Sequence, residues 1–218
     1  RLCGMLHHPR LVDVYAAGDI DGITYIAMEY VEGMTLYELH HQVRAAGLRF
    51  PLAVVLDIGI QLCEGLDYAH NAKDHEGEPL HLVHRDLKPG NIMVSRDGQV
   101  KIADFGLAKT TTSERSTKEG LLRGTPGFVA PEVWRGTRDF RPPVDLFALG
   151  AILFEIAVGS PLFAGDIHAV IFRVVSGDIE EDMQQLRLHR PVLGPVLKGL
   201  LERDHKQRTQ HAWEALEP

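Results

Sequence analysis

The 218-residue sequence predicts an α+β fold. Three observations carry that prediction. Two pairs of short β-rich runs are each joined by Asp-Gly: Asp13 to Gly18 with Ile23 to Tyr30 across Asp21-Gly22, and Ile92 to Val94 with Gln99 to Ala103 across Asp97-Gly98. Between Pro51 and Asn71, Val54, Val55, Ile58, Leu62, Leu66 and Ala69 recur at three- and four-residue spacing, the signature of a long helix with one buried stripe. Pro143 to Val158 is apolar nearly all round, as in a helix buried on most sides.

Taken in order, Leu2 to Leu6 reads as the end of a helix, and a chain beginning at Arg1 reads as a fragment. The first hairpin follows. Thr35 can cap a helix running to about Ala46, with Glu38 completing a capping box and Gly47 ending it. Pro51 suits the start of the next helix. Lys73 to Pro79 is a polar loop that leads to the second hairpin. Gly165 to Gly177 and Pro191 to Arg203 read as two further helices, and Arg208 to Leu216 as a short last one. Asp145 lies inside the most apolar segment, where a carboxylate is costly unless it is hydrogen-bonded.

Composition excludes several classes. With 44% hydrophobic residues the chain can form a sizeable core, and a net charge of -7 offers no basic field to nucleic acid or anionic lipid. The longest apolar stretches carry Asp57, Glu64, Asp145 or Glu155, so none reads as a membrane span, and no signal peptide is present. Two cysteines, Cys3 and Cys63, make neither a disulfide framework nor a metal site, which points to the cytoplasm. The pairs His7-His8 and His40-His41 diverge as adjacent side chains do, and read as surface or helix-end residues.

The chemistry concentrates in His84-Arg85-Asp86-Leu87-Lys88-Pro89-Gly90-Asn91 and in Asp104-Phe105-Gly106. A hairpin sets its ends side by side, so Asp86 and Asn91 at its entrance approach Asp104 at its exit. Hard oxygen ligands of this kind suit Mg²⁺, which takes one or two carboxylates and completes its shell with water and substrate phosphates. Lys88 adds positive charge where phosphate oxygens would sit. This is a layout for phosphoryl transfer.

These runs resemble the catalytic loop, magnesium loop and activation segment of the eukaryotic-type protein kinases, and the resemblance extends over essentially the whole chain. It implies a protein kinase-like fold with a small-lobe remnant at 1–30, a hinge at 31–34 and a helical large lobe at 35–218. Asp86 would be the catalytic base, Asn91 and Asp104 the Mg²⁺ ligands, and Lys88 a stabiliser of the transferring phosphoryl. Met28 would be the gatekeeper, the backbone of Glu29 and Val31 would hold the adenine edge of ATP, and Met93 would lie beneath it. His84 would pack under Phe105 in a stack that includes Val14 and Cys3, while Asp145 would accept backbone N–H groups near His84 and Arg85. Arg208 would pair with Glu132.

In Gly124-Thr125-Pro126 to Ala130-Pro131-Glu132, Thr125 would bond Asp86 and Lys88. Together with Lys88-Pro89 it matches the serine/threonine members, whose partners are protein substrates with Ser or Thr acceptors. Thr110, Thr111, Thr112, Ser113, Ser116 and Thr117 precede it, and phosphorylation of Thr117 or a neighbour would give Arg85 a phosphate to bind. No glycine-rich loop and no strand lysine precede Arg1, so these residues alone should bind ATP poorly and be inactive. A pseudokinase scaffold is the alternative, although Asp86, Asn91 and Asp104 are all present. Small-molecule kinases fit less well, because they lack the Gly-Thr-Pro to Ala-Pro-Glu segment. The long polar loop and Asp145-Leu146-Phe147 resemble bacterial members.

Overall fold

The computed structural model describes residues 6–105, 126–138 and 140–216. Strands β1 (Val14–Ile20) and β2 (Ile23–Met28) form an antiparallel hairpin. Ile20 faces Ile23 across a two-residue turn in which Asp21 and Gly22 both take positive φ, 53° and 79°. Such a turn matches the twist of the paired strands, and the Asp-Gly pair tolerates it. This hairpin buries little of itself: Tyr15, Ile20, Ile23 and Tyr25 are exposed, Ile23 by 72%.

A second sheet has the order β3-β4-β5, with β3 at Gly33–Thr35, β4 at Ile92–Ser95 and β5 at Val100–Ile102. The β4–β5 hairpin was expected, but β3 was not. It is three residues long and carries no alternating pattern, so only its pairing with β4 makes it a strand. Gly33 permits that pairing, since a Cβ there would lie 2.0 Å from the Val94 carbonyl oxygen. The front of the chain is tied to the same sheet by Val12 N–H to the Ile102 carbonyl at 2.9 Å and Ile102 N–H to the Arg10 carbonyl at 2.8 Å.

Helix α1 (Leu36–Ala45) starts at the expected capping box: Thr35 Oγ1 accepts from Glu38 N–H at 3.2 Å, and Glu38 Oε2 accepts from Thr35 N–H at 2.8 Å. Helix α2 (Leu52–His70) buries Val55, Ile58, Leu62, Leu66 and Ala69, whereas Val54, counted with that stripe, is 39% exposed. Asp74 orders the polar loop by accepting from Glu76 and Glu78 N–H, both at 2.9 Å. A short α3 (Pro131–Trp134) follows the catalytic hairpin, and α4 (Pro143–Val158) then forms the core, buried from Pro143 to Ala157 and packed on α2.

Beyond α4 the boundaries differ from the sequence reading. Helix α5 (Ile167–Ser176) begins where the Asp166 carboxylate accepts from His168 and Ala169 N–H. Helix α6 (Glu180–His189) was missed because only Met183 and Leu186 are buried, too few to show a stripe. Its acidic first turn and basic last turn, which complement the helix dipole, were the available signal. Helix α7 spans only Leu193–Leu200 and packs on α4. The expected last helix is a 3-10 turn, Ala212–Leu216, because the Glu214 carboxylate accepts from Gln210 N–H at 2.9 Å and starts the turn later.

Candidate active site

The floor of the site is Asp145, which α4 carries beneath the catalytic loop. Its carboxylate accepts from His84 N–H at 2.7 Å and Arg85 N–H at 2.9 Å, as expected for a buried acid that must be satisfied. A third partner was not expected: His70 at the end of α2 places Nε2 2.9 Å from Asp145 Oδ2. Burial pushes the Asp145 carboxyl up, but the His70 hydrogen bond, the neighbouring His70 and His84 rings and the Arg85 N–H outweigh it, so the net shift is downward. The anion is favoured. These bonds hold Arg85 at φ 70°, a left-handed conformation that a non-glycine residue rarely adopts.

His84 does more than pack. Its ring meets Phe105 edge-on at 4.9 Å, and Nε2 lies 2.8 Å from the Ala103 carbonyl. With Nε2 donating there, Nδ1 is free to accept from Asp86 N–H at 3.3 Å. One imidazole thus ties Asp86 to the residue that follows β5 and precedes Asp104.

Around Asp86, Lys88 Nζ lies 2.7 Å from Oδ2, and Asn91 Nδ2 donates to the Asp86 carbonyl at 2.8 Å. Asn91 Oδ1 therefore remains available as a hard ligand. Ala103 N–H donates to the Asn91 carbonyl at 2.8 Å, which sets Asn91 beside Asp104, an exposed residue at φ 62°. One carboxylate and one amide oxygen fit Mg²⁺ that takes its other ligands from water and phosphate.

The residues expected around the nucleotide base lie at the end of β2, just after it and in β4. Met28 ends β2 with 40% of its surface exposed, and Met93 is half-buried in β4, opposite Thr35 and Lys101. The Glu29 N–H donates to the Asp13 carbonyl at 2.8 Å, and its carboxylate pairs with Lys101 Nζ at 2.7 Å. Val31 is half-buried after it. Thr125, Thr117 and Cys3 lie outside the described residues.

Arg208 is buried and bidentate on Glu132, at 2.7 and 2.9 Å, and also donates to the Pro143 carbonyl at 2.8 Å and the Glu202 carbonyl at 2.7 Å. Arg85 lies with its guanidinium 4.7 Å from the centre of the Phe140 ring, and its buried Nε has no hydrogen-bond partner among the described residues. Beside Lys88 and Pro89 opens a groove of about 700 Å³ whose walls are largely apolar, including Phe128, Phe163, Ile167 and Val170.

Comparison with known proteins agrees with this geometry. The model of the protein kinase domain matches residues 1–217. A tyrosine-protein kinase of Myxococcus xanthus, MasK, is 33% identical over 92% of this chain and 30% of its own length. A probable serine/threonine-protein kinase of Clostridium perfringens is 37% identical over 97% of this chain and 29% of its own. The serine/threonine-protein kinase PrkC of Bacillus subtilis is 37% identical over 74% and 23%. The chain spans less than a third of the length of these relatives. With a loop tied to a buried aspartate, an aspartate, lysine and asparagine converging above it, and a family model that matches residues 1–217, the chain belongs to the protein kinase family.

Proposed function

We propose that this chain is the catalytic part of a serine/threonine kinase that acts on proteins in the cytoplasm, moving the γ-phosphoryl of ATP to Ser or Thr hydroxyls. The observation that carries this reading is the contact of Lys88 Nζ with Asp86 Oδ2 at 2.7 Å. It puts a cation beside a carboxylate that can orient a substrate hydroxyl and take its proton, while Lys88 also faces the charge of the moving phosphoryl. Mg²⁺ supplies charge neutralisation at the phosphates when bound, and Asn91 and Asp104 are the residues that would hold it. Met28, Glu29, Val31 and Met93 would receive the adenine, Thr125 would steady Asp86 and Lys88, and Arg85 would bind a phosphate on Thr117 or a neighbour.

The serine/threonine preference is supported by Lys88-Pro89 and Thr125 and by the names of two of the relatives above; the third is named a tyrosine kinase. We further infer that these 218 residues alone transfer phosphate poorly, because the β1–β2 hairpin leaves Tyr15, Ile20 and Ile23 exposed. The test compares phosphate transfer by a longer protein that includes the sequence upstream with the same protein carrying Asp86→Asn. Phosphoserine and phosphothreonine in the product, lost in the variant by about a hundredfold to ten-thousandfold, support the reading. Phosphotyrosine would move it to the tyrosine class, and no transfer by a folded, activated protein would move it to a pseudokinase scaffold.

A further inference from the structure

An ion pair joins the segment between the two sheets to the strand that leads to Asp104. Lys101, in the middle of β5, places Nζ 2.7 Å from Glu29 Oε1 and 2.8 Å from Oε2, so it grips both oxygens of the residue that follows β2. Both side chains are half-buried. A second ion pair between this segment and the β4–β5 hairpin, Arg96 with Glu32 at 3.2 Å, is exposed on both sides, where solvent leaves such a contact little weight.

Glu29 is also fixed by the front of the chain. Its N–H donates to the Asp13 carbonyl at 2.8 Å, and its Oε2 accepts from Asp13 N–H at 3.3 Å. None of these bonds uses the Glu29 carbonyl, which is left to face the adenine edge. Lys101 stands opposite Met93 in the antiparallel pair, so the two side chains share one face of the sheet. Ile102, next along, is bonded through its backbone to Arg10 and Val12, and Ala103 is tied to Asn91 and His84. Between Glu29 and Asp104 there is thus one ion pair and a run of bonded backbone.

On the kinase reading above, we infer that Lys101 is a positioning residue for ATP. Through Glu29 it fixes the backbone that receives the adenine, and it keeps that backbone in register with the strand leading to Asp104. A lysine near a nucleotide can also attract the phosphates directly, and the two roles differ in sign. Under direct attraction, removing Lys101 weakens ATP binding, whereas removing the Glu29 charge frees the ammonium and strengthens it. Under positioning, both removals weaken ATP binding, and both weaken the binding of adenosine, which carries no charge for Lys101 to attract.

The experiment uses the full-length protein with Lys101→Met, Glu29→Gln, the two combined, and Lys101→Arg. Each is read by its KM for ATP and by inhibition with adenosine. Lys101→Met and Glu29→Gln each raise the KM for ATP and the inhibition constant of adenosine by about five- to tenfold, and the double variant raises them no further. Lys101→Arg, which keeps the charge and the donors, stays close to the unmodified protein. The KM for the protein substrate does not change, and melting temperatures move little because the pair is partly solvated. A merely structural bond would instead lower the melting temperature and raise the KM for both substrates. A KM for ATP unmoved by Lys101→Met, adenosine inhibition unmoved by either variant, tighter ATP binding in Glu29→Gln, or single effects that multiply in the double variant overturns the assignment and leaves the kinase reading intact. No transfer by the folded, unmodified protein overturns both.

Discussion

His70 Nε2 and Asp145 Oδ2 lie 2.9 Å apart, joining the end of α2 to the first turn of α4 directly beneath the catalytic loop. Asp145 has only two oxygens, and it serves three donors: His70, His84 N–H and Arg85 N–H. Removing His70 leaves Oδ2 with the backbone donor alone. We expect His70→Leu to destabilise the protein by about 1 to 3 kcal/mol, and to lower kcat more than KM because the loop that carries Asp86 loosens. Denaturant unfolding and steady-state kinetics on the same variant check both; a destabilised protein with unchanged kcat would mean that His70 only packs.

The same carboxylate gives a pH dependence with a defined sign. Its pKa is depressed on folding, so its contribution to stability is complete above the unfolded-state value and is lost as pH falls through the folded-state value. Asp145→Asn is less stable at neutral pH, and its stability falls less on acidification than that of the unmodified protein. Thermal midpoints followed from neutral to strongly acid pH test this, and two parallel curves would contradict it.

Arg208 and Glu132 form a buried bidentate pair, reinforced by the carbonyls of Pro143 and Glu202. Truncating either side leaves a buried charge unpaired, so Arg208→Ala should cost about 3 to 5 kcal/mol. The double variant Arg208→Ala with Glu132→Ala should cost less than the sum of the two singles, as measured in a mutant cycle by denaturant unfolding.

Thr35 ends β3 and caps α1, so a single hydroxyl serves the junction of sheet and helix. Thr35→Ala removes the acceptor of the Glu38 N–H and should destabilise by about 1 kcal/mol. Thr35→Ser keeps the oxygen and should recover most of that loss, which denaturant midpoints can resolve.

Cys63 lies inside α2, 2% exposed, and burial followed by the charges of Asp67 and Glu64 pushes its thiol up to about 12. The reactive thiolate is therefore scarce as well as shielded. In a Cys3→Ser background, thiol reagents should label Cys63 only as fast as the protein unfolds. Rapid labelling of the folded protein would show that α2 opens locally.

What the sequence determined by itself was local or carried by an unbroken motif. The Asp21-Gly22 turn, the Thr35–Glu38 capping box and the apolar segment of α4 each follow from residues a few positions apart, whose interactions form without help from distant parts of the chain. The catalytic loop was legible for the same reason, since Asp86, Lys88 and Asn91 meet within one turn of backbone. Tertiary structure decided what depends on long separations. Gly33–Thr35 becomes a strand only because β4 arrives beside it, and Glu180–His189 becomes a helix with just two buried residues because α7 follows and packs on it. His40 read as a surface or helix-end residue and His70 carried no signal; the tertiary structure desolvated both and set each against a buried carboxylate, Glu155 and Asp145. A buried carboxylate needs a donor wherever the fold can bring one, and that partner lies in sequence wherever the packing, not the pattern, puts it.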